Sequence, residues 1–155
     1  MKTIVALVDF SDVTAAVIAQ ATKMAHAFGT RLILMHVVPE EPSVVELGLA
    51  SPTLMQPPSE RRIEADYEQL VSLRDSLSGE GLAVSIHQID RGNPAKVVEA
   101  CANLGTDLII GGSHHHSTLY HLFVGSFTGE VLKKARCPVM VVPATSAPAP
   151  DSAAK

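Results

Sequence analysis

The stretch GGSHHHSTLYHLFVGSFTGEV, residues 111 to 131, concentrates the side chains that could do chemistry. Gly112 closes an apolar run, and Gly125 with Ser126 opens a helical pattern thirteen residues later. Glycines let a backbone approach a ligand closely, and a helix N-terminus offers unpaired N–H groups at its positive end. The arrangement therefore suits an anion such as phosphate. The same Gly-Ser pair also serves as an ordinary helix start. Neither G-x-x-x-x-G-K-[ST] nor a G-x-G-x-x-G after the first apolar run is present. His114, His115 and His116, with His121 beyond, would enclose a divalent metal only if the loop folded back on itself, because successive side chains of an extended segment point apart. There is no G-x-S-x-G elbow, and no lysine or arginine lies between 111 and 126, so rapid nucleophilic or phosphoryl-transfer chemistry is not expected.

The elements that would position this stretch can be read from hydrophobic periodicity. TIVALV (3 to 8), RLILMHVV (31 to 38), DLIIGG (107 to 112) and PVMVV (138 to 142) are nearly continuous apolar runs, as in parallel strands covered on both faces. AVSIHQID (83 to 90) alternates instead, which predicts an edge strand. Between the runs lie four helical patterns. The first carries Val13, Val17, Ala21, Met24, Ala25 and Phe28 on one stripe, with Ser11 or Asp12 as cap and Gly29 as left-handed terminator. The second spans Ser59 to Ser78 with Ile63, Tyr67, Leu70 and Leu77. The third is capped by Asn93, starts at Pro94 and ends before Gly105, with Val97, Val98, Cys101 and Leu104 inward. The fourth begins at Ser126 and runs through Val131, Leu132 and Ala135 to a stop at Pro138. This alternation predicts a Rossmann-like, doubly wound five-stranded parallel sheet of order 3-2-1-4-5 with helices on both faces. Ligands in such sheets sit beyond the strand C-termini where the winding reverses, so VDFS and GGSHHH should face one cleft.

Composition narrows the function. The 155 residues, 46% apolar and 18% charged, fit one domain over 1–143. The proline-rich connection 39–58 reads as a lid or as a disordered excursion, and 144–155 as an unstructured tail. A net charge of −4 and 4% aromatics offer neither a basic field nor a stacking platform for nucleic acid. No run approaches a membrane span, no signal-peptide pattern opens the chain, and two isolated cysteines suit a reducing, cytoplasmic setting.

VALVDFSD, MHVV, GNPAKVVEACANLGTDLIIGGS and GSFTGEVLKKARCPVMVVP together resemble the universal stress proteins, over nearly the whole chain to Pro143. The resemblance implies a homodimer joined through the last strand, 138–142, that binds an adenine nucleotide, ATP or AMP, with Mg2+ as a possible companion. It also implies the contacts. The family pattern G-x-x-G, nine residues, G-[ST] falls on Gly112, His115, Gly125 and Ser126, with the second glycine replaced by His115. The resemblance further places Asp9 at the ribose or adenine, Val8 and Val37 as adenine walls, and Phe127 after the closing pair. A histidine in place of glycine adds bulk and resists positive φ, yet it can donate to a phosphate. Asp9 has an alternative reading as a helix cap. Two other functions stay open: a nucleotide-independent dimeric interaction protein whose phosphate loop is altered by His115, and a weak ATPase. In the leading reading the nucleotide is a regulatory or stability ligand, and the protein partners are unknown.

Overall fold

A computed structural model describes residues 1–39, 60–113 and 127–144. The readings of 40–58 as a lid or excursion, of the histidine cluster, and of the tail beyond 144 lie outside them. So do His115, Gly125 and Ser126.

Among the described residues nine elements alternate: β1 (Thr3–Val8), α1 (Thr14–Phe28), β2 (Arg31–Pro39), α2 (Glu60–Ser78), β3 (Val84–Gly92), α3 (Pro94–Asn103), β4 (Leu108–Ser113), α4 (Phe127–Lys134) and β5 (Val139–Pro143). The strands form one parallel sheet in the order β3-β2-β1-β4-β5, as the hydrophobic pattern predicts. The register sets Val8 beside His36, and Ala6 between Leu34 and Ile110.

Strand alternation divides the core between two faces. Ile4, Ala6, Leu32, Leu34 and Ile110 meet Val13, Val17 and Ala21 of the α1 region and Leu70 of α2. Val5, Ile33, Met35 and Ile109 meet Val97 and Cys101 of α3 and Val131 of α4. The central strands are apolar at nearly every position because both their faces are covered. The edge strands β3 and β5 are only partly buried.

Local signals explain where α1 ends and where α3 begins. Gly29 takes φ 60° after α1 and returns its N–H to the last carbonyls of the helix. The Asn93 side chain accepts from the Lys96 N–H at 3.1 Å, with Pro94 in the first turn of α3. The start of α1 differs from expectation. Its cap position is Val13, not Ser11 or Asp12, and Val13 makes no side-chain cap bond. The Ser11 and Thr14 hydroxyls donate to Asp9 instead. Phe28, Tyr67 and Leu132 fall on apolar helical patterns yet are 54%, 48% and 48% exposed, so these stripes are narrower than the sequence suggests. Pro39, expected to open the long connection, instead ends β2 opposite Gly92. No helix among the described residues is long and apolar enough to cross a membrane.

Candidate functional site

At the end of β1 the chain turns sharply. Phe10 adopts φ 58°, a left-handed conformation uncommon for a bulky residue. The turn is held by Asp9, whose Oδ1 accepts from the Ser11 N–H at 3.1 Å, the Ser11 hydroxyl at 2.6 Å and the Thr14 hydroxyl at 3.0 Å. One carboxylate oxygen thus organises the β1–α1 loop. Asp9 is exposed, at the mouth of a cleft.

Next to it, β2 contributes a buried histidine. His36 is 6% exposed and donates from Nδ1 to the Val8 carbonyl at 2.8 Å. Its Nε2 lies 3.3 Å from Asp66 Oδ2 on α2, and Arg62 Nε reaches the same oxygen at 3.8 Å. The Phe10 ring packs on the imidazole with centroids 4.6 Å apart. These contacts explain how a polar ring is accommodated in the core: both nitrogens have partners.

On the other side of β1, consecutive glycines thin the β4 strand. A Cβ on Gly112 would lie 2.5 Å from Val13 Cγ1, and one on Gly111 would lie 3.1 Å from Thr128 Cγ2. Their absence lets the β1–α1 turn and α4 close on β4. The Thr128 hydroxyl donates to the Gly112 carbonyl at 2.9 Å, fixing the start of α4 against the strand end.

Between these groups lies a cleft of about 370 Å3, within the range of small-molecule sites. Val8, Asp9, Val37, Gly112 and Phe127, five of the residues singled out from the sequence, line it together. Phe127 is 38% exposed there. Val37 is held from behind by Gly92, where an added Cβ would sit 2.4 Å from Val37 Cγ1. Sequence reasoning missed Val13, Met35, His36, Arg62 and Thr128, which also line the cleft. Thr128 follows directly on Phe127 and could have been included by proximity. Arg62 had no signal, because its arrival depends on how α2 docks. The walls are mainly apolar, with one carboxylate, one guanidinium, one imidazole and one hydroxyl among the described lining residues.

The cysteines stand apart from the cleft. Burial pushes the Cys101 thiol up to about 11 and also raises Cys137, which keeps both protonated and poorly nucleophilic near neutral pH.

The family model "Universal stress protein family" matches residues 1–143. The chain belongs to the universal stress protein family. This member is 30% identical over 142 residues to a universal stress protein of Methanocaldococcus jannaschii, covering 91% of this chain and 81% of that one. Its fold matches that of a universal stress protein from Archaeoglobus fulgidus in complex with dAMP (TM-score 0.64, 22% identity, 91% and 97% of the two chains covered). It also matches a universal stress protein in complex with cAMP (TM-score 0.66, 19% identity, 93% and 98% covered).

Proposed function

We propose that this universal stress protein binds an adenine nucleotide, ATP or AMP, as a regulatory or stability ligand, and that it does so as a cytoplasmic homodimer. The observation that carries the reading is the convergence of Asp9, the apolar walls Val8 and Val37, and the glycine-thinned end of β4 on one cleft. A carboxylate at a strand end suits ribose hydroxyls, apolar walls suit a purine, and a backbone without Cβ atoms suits phosphates. Oδ1 of Asp9 is engaged within its own turn, so a sugar would approach a carboxylate whose orientation is already set. The bound dAMP and cAMP of the two structural neighbours are adenine nucleotides, which supports the same ligand class here.

Gly112, His115, Gly125 and Ser126 are proposed as the phosphate contacts, with Phe127 beside them. Mg2+ accompanying ATP would draw most of its oxygen ligands from the phosphates and water, because Asp9 is the one carboxylate among the described cleft-lining residues. Turnover is at most slow in this reading. In this reading the chain's own groups bind and orient the nucleotide.

His115 stands where the family pattern has glycine, and this favours one second reading, a nucleotide-independent dimeric interaction protein. Calorimetric titration of nucleotide-free protein with ATP and Mg2+, beside a His115→Gly variant, separates the two. Saturable binding near one nucleotide per chain by the natural protein is the expected result. Binding by the glycine variant alone would transfer the function to the dimer surface, and silence in both would end the nucleotide reading.

A further inference from the structure

The nucleotide reading accounts for Asp9, Val37 and the β4 end, but not for why α2 brings a cation to the same cleft. Arg62 lies near the start of α2 and lines the cleft with 55% of its side chain exposed. One turn on, Asp66 has only 16% of its side chain exposed and faces both Arg62 and His36. A purely structural ion pair would explain the His36–Asp66 contact, which docks α2 on β2. Arg62 adds a second feature: its Nε lies 3.8 Å from the same carboxylate while its side chain forms a cleft wall.

The sheet order says which part of a ligand Arg62 would meet. Strand β1 lies between β2 and β4. With strands about 4.8 Å apart, the ends of β2 and β4 are separated by roughly 10 Å. Gly112 and Thr128 belong to the β4 side, whereas His36, Asp66 and Arg62 belong to the β2 side. A nucleotide laid across the strand ends with its phosphates at β4 therefore brings its base and sugar to β2. Guanidinium is planar, weakly hydrated and stacks on aromatic faces, which suits a purine better than an ammonium would.

Resting on the proposed nucleotide site, we infer that Arg62 is a ligand-contacting residue that reads the nucleoside half, covering the base, and that Asp66 is the positioning residue that orients it. Asp66 is in turn fixed by His36, so the purine side of the cleft and the docking of α2 share one chain of contacts.

The test is titration of the full chain with adenosine, AMP and ATP, using the natural protein, Arg62→Ala, Arg62→Lys, Asp66→Asn and the Arg62→Ala/Asp66→Asn double variant. Ligand-free thermal unfolding of each variant accompanies it. Arg62→Ala should weaken all three ligands by a similar factor, about five- to tenfold, and Arg62→Lys should recover little of it. Asp66→Asn should weaken binding less, and its effect should vanish in the absence of Arg62, a coupling that a merely structural aspartate would not show. Unchanged affinity in Arg62→Ala overturns the inference. So does a loss confined to AMP and ATP, which would make Arg62 a phosphate ligand. If the natural protein binds none of the three, the nucleotide reading itself fails, and that failure is visible before any substitution is made.

Discussion

Gly112 shows how one residue can be singled out for one reason and held in place by another. Its position after an apolar run suggests a phosphate contact. The structure adds a packing demand, because a methyl group there would lie 2.5 Å from Val13 Cγ1. Gly112→Ala should therefore destabilise the fold by about 1–3 kcal/mol, read from urea unfolding, besides weakening nucleotide binding. A variant as stable as the parent would show that Val13 yields easily. The sequence could not reveal this second role, since Val13 and Gly112 are distant in the chain and meet only once β1 and β4 pair. His36 is a similar case. Its type and strand-end position were legible, but its partners Val8 and Asp66 come from the β1–β2 register and from the docking of α2.

Among the elements, those with dedicated punctuation were legible. Asn93 with Pro94 and the left-handed Gly29 are local devices whose geometry needs no tertiary partner. The start of α1 was not legible, because Asp9 orders the turn by accepting from the Ser11 and Thr14 hydroxyls, and the helix begins after Val13. Another carboxylate anchors the opposite end of the sheet. Asp107 accepts from the Lys2 N–H at 2.6 Å and the Thr3 N–H at 3.0 Å, and these two bonds hold its carboxyl below the ordinary value of 3.8. A carboxylate with a depressed folded-state pKa contributes stability above the unfolded value and loses it as pH falls through the folded one. Asp107→Asn should thus lower the Tm at neutral pH, and the gap to the parent should close as the pH drops below about 4. A gap of the same size at pH 3 and pH 7 would show that the charge of Asp107 is not what ties β1 to the start of β4.

For the whole molecule, the outer flank of β5 is decisive. The Ile109 N–H bonds to the Pro138 carbonyl at 3.0 Å and the Ala144 N–H to the Ser113 carbonyl at 3.1 Å, so even-numbered residues of β5 face β4. By the alternation of a parallel ladder, Val139 and Val141 turn their N–H and C=O groups toward the open edge. The proposed dimer would pair them with a second copy. Val141→Pro removes one outward donor without touching the ladder to β4, and should shift sedimentation from dimer to monomer. A dimer unaffected by this change would have to use another surface. The apolar character of this edge was plain in the sequence, whereas which of its residues face outward required the register. The paired glycines of β4 carry a last consequence. Gly111 and Gly112 present their bare sides to opposite helical layers, α4 on one and the turn before α1 on the other. At these two positions β4 places only backbone between Thr128 and Val13. A push from a molecule seated in the cleft would reach α4 through the single side chain of Thr128, which rests on the β4 backbone.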